Sequence, residues 1–456
     1  MKQEASKKVT SKLINSYGFV SFAFNLMMMV AVTYYAYFLT DVAVINAALM
    51  GTILLIARIC DMISVPITGG IIQSVQLKWG QYRSWILLAP PFTCLFFILM
   101  FTNPDFDPIT KGIFLGTCYV IAHICVNFAF NAHAGLIAVL GKTPQERMTL
   151  SQRNVQFMMA SSIVFSLTCM PLVEFFGKGD QGRGFLFTVV IFAIIQVLGY
   201  WNLFRQSEGY DYYDPNKKMG KGGIGISPAE MFQQLFTNSQ LLTLFTVSTL
   251  QALSMFGISA LLSYYYKYVI GNLDMISIHL FGTAVCSFIG SLIAPYIIRK
   301  LGKKNTYLLT TIVNVIVFTI VRLTGGRNPV IFISLASLGA LIGASGMAMG
   351  AALYSDTAEY GKWKTGKDAT AFIMSMSAMP TKIGVALSGA VVGYGLAAVG
   401  YDPTVGTTPE LVNSIVDLTT SIPIICGVIS FILFAMFYKL TDEKVMEVMG
   451  LNTQNE

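Results

Sequence analysis

Charge is scarce in this chain. Of its 456 residues, 12% are Asp, Glu, Lys or Arg, against roughly 25 % in a soluble globular protein. That shortage excludes an ordinary water-soluble fold. Histidine is rarer still, with three residues. Seven cysteines (Cys60, Cys94, Cys118, Cys125, Cys169, Cys286 and Cys426) are scattered through apolar runs. They show no CxxC and no metal-like Cys/His spacing, so they read as small apolar fillers; no metal site and no cofactor is expected. There is no Walker A lysine loop, no GxSxG, no HExxH and no dinucleotide fingerprint. ATP-driven transport in cis therefore has no support. A membrane enzyme would need a nucleophile–base or metal pair at membrane depth, and none stands out. The N-terminus, MKQEASKKVTSKL, lacks the small-residue cleavage site of a signal peptide, so the first span is expected to stay uncleaved. No soluble domain is expected at either end.

Apolar residues are what the chain has in excess: 54% of the total and a mean hydropathy of +0.64. That much apolar surface belongs in lipid. A span needs about 20 mostly apolar residues, and the pattern predicts spans near 14–39, 46–74, 84–102, 110–140, 151–176, 184–205, 238–269, 275–299, 306–324, 329–355, 368–399 and 413–438. The expectation is an all-α polytopic membrane protein with twelve transmembrane helices in two six-helix bundles. The first bundle covers 1–205 and the second 238–456. A polar, Gly- and Pro-bearing linker at 206–237 joins them and carries a capping-box pattern at Ser227–Glu230.

The net charge of +7 would by itself allow a nucleic-acid partner. Its distribution argues otherwise. With the N-terminus inside, most of the basic residues fall on the cytoplasmic side, including Lys2, Lys7, Lys8, Lys12, Lys78, Arg83, Lys217, Lys218, Lys221 and the Arg299–Lys304 cluster. That asymmetry predicts both termini in the cytoplasm of a multi-pass protein of the inner or plasma membrane, with no nucleic acid involved. An internal repeat supports the two halves. Lys78-Trp79-Gly80 follows the second span and Lys300-Leu301-Gly302 follows the eighth, 222 residues apart. Matching halves suit a carrier built from parallel repeats.

Polar residues deep in apolar spans are the candidate site. Asp61 stands in ARICDMISVPITGG, the run Ala57–Gly70, with Arg58 three residues earlier on the same helical face. An ionisable group at membrane depth costs on the order of 2.5–3.5 kcal/mol or more, so Asp61 must face protein or water. It is either a cation or proton site or one half of a structural pair with Arg58. The first span offers Ser21 and Asn25, then Tyr34, Tyr35 and Tyr37. In the fourth, His123, Asn127 and Asn131 recur every four residues in one stripe; it suits a polyhydroxylated ligand or helix–helix hydrogen bonding equally well. His133 reads as structural. The seventh span has Gln251 and the triplet Tyr264–Tyr266, expected to anchor at the membrane interface. In the eleventh span Lys382 stands alone among small and apolar residues, about fifteen residues in and too deep to snorkel easily. In DTAEYGKWKTGK, Asp356 and Glu359 are one turn apart and read as gating carboxylates, with Arg83 and Arg147 as gating bases.

Several of these stretches resemble one family: YYAYFLTDV (34–42), GTILLIARICDMISVPITGG (51–70), KWGQYRSW (78–85), the Glu146–Leu150 region, and DTAEYGKWKTGK (356–367) with Lys382-Ile383-Gly384 behind it. The resemblance covers nearly the whole chain. It is to the glycoside–pentoside–hexuronide:cation symporters, a major facilitator branch that includes melibiose and glucuronide carriers. It implies a secondary active transporter, not an enzyme, which imports a sugar or glycoside with a proton or sodium ion by alternating access. The implied partners are the substrate, the ion and the bilayer, and the implied state is a monomer. Residue by residue, Asp61 matches the family's helix-two cation carboxylate, with Ser64 beside it. Lys382 matches the helix-eleven lysine near cation and sugar. Asn131 falls where members carry Asn or Asp near the sugar, and Arg153 lies near the helix-five sugar arginine. Ser21, Asn25 and Asn127 complete the expected substrate set. The chain also departs from the family. The second helix-two carboxylate is replaced by Val65, and the helix-one acid by Ser21. One carboxylate suits proton coupling or weak coupling better than a sodium cage, with Lys382 favouring ionised Asp61. Loss of the acid at Ser21 favours an anionic substrate such as a uronide. An uncoupled facilitator or a non-transporting sugar sensor is the alternative.

Overall fold

The computed structural model describes residues 9–75, 77–141, 144–211, 236–365, 373–374, 376–403 and 407–455. The 212–235 part of the linker, with Ser227–Glu230, and Lys367 lie outside them. The chain divides into two compact units, Met1–Ile224 and Gly225–Glu456. Among the described residues the helices are joined by turns and loops, and the β-pairing is one isolated bridge between Leu77 and Gly80.

The first unit contains α1 (Ser11–Tyr37), α2 (Ala47–Ser74), α3 (Arg83–Leu99), α4 (Pro108–Leu140), α5 (Pro144–Gly177) and α6 (Gln181–Gln206). The second contains α7 (Ser239–Tyr264), α8 (Met275–Leu323), α9 (Pro329–Thr365), α10 (Met379–Ala398), α11 (Pro409–Phe437) and the polar α12 (Asp442–Asn455). Among the described residues ten helices are long and apolar enough to cross a membrane, and α3 is a shorter apolar one. The long α8 is two helices that meet at a kink at Gly302, whose φ of 76° and ψ of 163° are not helical. Counting it twice and adding α3 gives the twelve apolar segments expected from hydropathy. Helix starts follow local chemistry. Thr10, Asn46, Asp107, Asp180, Asn238 and Thr408 each accept a first-turn amide on a side-chain oxygen, filling donors that no helix can satisfy internally.

Packing repeats between the units. In the first, α1 lies against α5 and α6, α3 against α4 and α6, and α2 against α4. In the second, α7 lies against α10 and α11, while both arms of α8 pack on α9 and α8 also packs on α11. The polarity of α2 is inside-out. Ile56, Ile59, Ile63 and Ile67 are exposed, whereas Asp61, Ser64 and Thr68 are buried. A helix that shows isoleucine outward and hides aspartate is solvated by lipid.

Two expectations change here. The triplet Tyr264–Tyr266 does not sit at an interface: all three are buried. Tyr265 Oη donates to the Gly326 carbonyl, Tyr266 Oη lies 3.0 Å from His279 Nδ1, and Tyr264 packs edge-on against Tyr401. Each phenol finds its partner inside the unit and needs no headgroup. Lys382 also moves. The chain turns at Ser377–Ala378 and α10 begins at Met379, so Lys382 lies in a first helical turn rather than midway along an unbroken span. Pro380 at the helix start supplies the reason, since its ring fits a first turn and not an interior.

Candidate functional site

The two polar stripes of the first unit meet edge to edge. Asp61 is 5% exposed. Asn127 Nδ2 donates to Asp61 Oδ1 at 2.6 Å and lies 2.8 Å from Ser64 Oγ. Ser64 Oγ donates in turn to the Asp61 carbonyl at 2.8 Å. One turn along, Asn131 Nδ2 donates to Thr68 Oγ1 at 3.0 Å. The four-residue period of Asn127 and Asn131 on α4 thus matches the Asp61, Ser64, Thr68 face of α2. A hydrogen bond to a charged group contributes about 1.5–3 kcal/mol net, and water is not at hand in lipid to replace it. Arg58 Nη1 stands 3.9 Å from Asp61 Oδ2, at the edge of ion-pair range. Its guanidinium lies 5.2 Å from the centre of the Tyr119 ring. The carboxylate therefore has one oxygen held by an amide and the other within ion-pair range of a guanidinium. His123 spends Nδ1 on the Tyr119 carbonyl of its own helix, 3.0 Å away. His133 is a structural tie: its Nε2 is 3.1 Å from the Tyr17 carbonyl, Tyr17 Oη donates to the His133 carbonyl at 3.2 Å, and the two rings stack at 4.1 Å.

A second polar seam joins α1 to α5. Ser21 Oγ donates to Asn154 Oδ1. Asn25 Nδ2 donates to Ser161 Oγ at 2.6 Å and lies 3.3 Å from the Met158 carbonyl. Arg153 is half-buried in the same seam. A methyl added at Gly18 would fall 2.9 Å from Arg153 Cγ and 2.8 Å from the Phe157 ring, so the glycine is what lets the arginine stem approach α1. Among the described residues no carboxylate pairs with Arg153. Asn154 and Ser161 were not singled out by sequence reasoning. A signal for Asn154 was available in the polar run Ser151–Asn154, and for Ser161 in the pair Ser161–Ser162 amid apolar residues.

The expected gating residues fall in separate places. Asp356 pairs with Lys303, which also lies 3.4 Å from Asp442 Oδ1. Glu359, one turn on, is half-buried. Arg147 Nε donates to the Gly141 carbonyl at 2.7 Å, closing the end of α4. Arg83 is buried against the end of α6: Nε donates to Ser207 Oγ at 3.2 Å and Nη2 to the Phe204 carbonyl at 2.9 Å. Burial first, and the Asp211 carboxylate second, push the neighbouring Tyr82 hydroxyl above its ordinary pKa. Asp61, Ser64, Asn127, Asn131, Ser21, Asn25 and Arg153 all belong to the first unit, and Lys382 and the Asp356 pair belong to the second. No group of three metal-ligating side chains is present among the described residues.

The chain matches the model of the MFS/sugar transport proteins over residues 16–442. It is 28% identical to an isoprimeverose transporter of Lactiplantibacillus pentosus, covering 93% of this chain and 88% of that one. It is 24% identical to an inner membrane symporter of Escherichia coli (strain K12), covering 95% and 93%. In fold it is similar to a bacterial homolog of the human lysosomal transporter Spinster, with a TM-score of 0.71 at 13% identity over 97% of this chain and 99% of that one. A full-length family match, twelve apolar segments and buried polar seams agree with one another: the protein is a multi-pass membrane transporter, not an enzyme, and belongs to the MFS/sugar transport protein family.

Proposed function

We propose that this protein imports a sugar or glycoside by cation symport with alternating access, in the cell membrane, with both termini in the cytoplasm and as a monomer. One observation carries the coupling: a buried carboxylate, Asp61, on a lipid-facing helix, with Oδ1 held by Asn127 at 2.6 Å and Oδ2 3.9 Å from the Arg58 guanidinium. A group in that state changes its surroundings when it takes up a cation. Ser64 Oγ and, one turn on, Thr68 Oγ1 add hydroxyl oxygens on the same face, but Val65 adds no second carboxylate. This donor set supports a proton over a sodium ion, which prefers several oxygen ligands. Proton uptake would release Arg58 and weaken the charge-assisted bond from Asn127, shifting α2 against α4. Reciprocity then follows: the ion tightens the substrate as much as the substrate tightens the ion.

Arg153 supports an acidic glycoside as substrate. A half-buried guanidinium that no carboxylate among the described residues pairs with, in the seam with Ser21, Asn25 and Asn154, supplies a bidentate donor and hydroxyl-matching groups. The role of Lys382 is a proposal of the same kind, as a charge that responds to ion and substrate. Gating by Asp356 and Glu359 is likewise proposed, through the pair that Asp356 makes with Lys303.

The test is uptake of labelled isoprimeverose and a labelled glucuronide into vesicles, with sodium and proton gradients imposed separately. Accumulation driven by the proton gradient, with the glucuronide preferred, is expected. Asp61→Asn should abolish accumulation and leave exchange intact. Unchanged accumulation in that variant removes Asp61 from the mechanism. The pairing of Asp61 with Arg58 favours one second reading, an uncoupled facilitator, in which uptake equilibrates and neither gradient drives accumulation.

A further inference from the structure

The turn after the second helix of each unit is held by a carboxylate from beyond that unit's last long helix. In the first unit, Gly80 has a φ of +113°, and a Cβ there would meet the Asp211 carboxylate at 2.6 to 2.8 Å. Asp211 is 5% exposed. Its Oδ1 accepts from the Gln81 amide at 3.2 Å, and its Oδ2 from the Tyr82 and Arg83 amides at 2.6 and 2.9 Å. These amides lead into α3, Arg83 being its first residue, so the carboxylate sits at the positive end of that helix. Arg83 reciprocates by capping the carbonyl end of α6 at Phe204, and its guanidinium lies 4.5 Å from the centre of the Phe204 ring. Its Nη1 reaches back to the Asp211 carbonyl at 3.4 Å.

The second unit repeats the arrangement. Gly302 has a φ of +76°, and a Cβ there would lie 2.9 Å from Asp442 Oδ2. That oxygen accepts from the Lys303 amide at 3.2 Å, while Oδ1 lies 3.4 Å from Lys303 Nζ. The two glycines are 222 residues apart and the two aspartates 231. Such correspondence between unlike loop sequences points to a shared task rather than to one local turn.

We propose that Asp211 and Asp442 are paired positioning residues of the transport cycle, each clamping its unit's glycine turn to the end of its last long helix. This rests on the transport reading above. Clamped in this way, the second, third and last helices of a unit reorient as one piece. Asp61 sits on α2, which runs into the Gly80 turn, so a change at the ion site is delivered to the whole unit instead of being absorbed at a loose hinge. With the clamp removed, half-loaded carriers slip, and the ion gradient drives less accumulation although loaded carriers still exchange.

The experiment uses the full-length carrier and the variants Asp211→Asn, Asp211→Glu and Asp442→Asn. Hydrogen exchange is read at the Gln81–Arg83 amides without sugar, and accumulation and equilibrium exchange of labelled isoprimeverose or glucuronide are read in vesicles. In Asp211→Asn, amide exchange should speed up by about tenfold, since a charged cap is lost from a locally opening segment. The accumulation ratio should fall several-fold, exchange should stay near the original rate, and Asp211→Glu should recover much of the ratio. Asp442→Asn should act in the same direction, more weakly. Unchanged amide protection, unchanged accumulation, or equal loss of accumulation and exchange with a lowered melting temperature overturns the proposal. If Asp211→Asn does not fold, Asp442→Asn carries the test with the same two outcomes in uptake. Failure of the unaltered carrier to move either sugar defeats the transport reading alone, because the amide arm needs no sugar.

Discussion

The Gly80 and Gly302 turns solve one backbone problem with different amounts of water. At Gly80 the carboxylate is buried and its oxygens are used up by three main-chain amides, while Arg83 turns to the carbonyls of α6. At Gly302 the Asp442 side chain is 45% exposed, meets one amide, and shares Lys303 with Asp356. The first is a helix cap made of directed hydrogen bonds. The second is an ion network at a wet surface. A buried cap is stiff because breaking it strands a charge without water. An exposed network is adjustable because water and salt can replace any one contact. The unit that holds Asp61 therefore has the stiffer turn, and the unit that holds the Asp356–Lys303 pair has the one better suited to opening and closing.

That contrast can be broken most severely at the glycines. Gly80→Ala should destabilise the carrier by about 2–4 kcal/mol, from the left-handed backbone and the clash with Asp211 together, whereas Gly302→Ala should cost about 1–2 kcal/mol. Thermal unfolding in detergent, with both variants side by side, checks the ranking; equal losses would erase the distinction between the turns. A smaller effect concerns the ends of the first and seventh helices, which both pass through a π-helical turn, Phe38–Val42 and Tyr265–Ile270, into a left-handed residue. In the second unit that residue is Gly271 with φ 76°. In the first it is Val44 with φ 55°, a β-branched and exposed side chain in a conformation that suits glycine. Val44→Gly should raise stability by about 1 kcal/mol, seen as a higher melting temperature. No gain there means the π turn enforces the backbone whatever the residue. The smallest effect is one of salt. Raising ionic strength to about 1 M, where screening acts within about 3 Å, should speed amide exchange at Lys303 and leave Gln81–Arg83 unchanged. Matching responses would make both turns ion networks.

Much of the fold was legible. Twelve apolar segments followed from hydropathy, two of them meeting at the kink at Gly302. The two K-x-G turns were visible as a repeat, but not the aspartates that complete them, because Asp211 is separated from Gln81 by 130 residues and carries no motif. The site was legible in its membership and not in its pairing. Asp61, Ser64, Asn127 and Asn131 stood out as polar residues where lipid forbids them. That Asn127 and Asn131 both bond α2 could be seen only once α4 and α2 lay side by side. Tyr264–Tyr266 misled because an aromatic triplet at a span end has the same composition whether it faces headgroups or a packed interior.

By itself the sequence determined the solvent of each segment. Burying charge in lipid costs more than any local preference can offset, so polar and apolar residues sort themselves along the chain. Partnership was decided only in three dimensions. Which amide meets Asp61, which carboxylate fills the Gly80 turn and which carbonyls Arg83 closes depend on how helices distant in sequence are set side by side. A hydrogen bond acts over about 3 Å, a distance that separation along the chain does not encode.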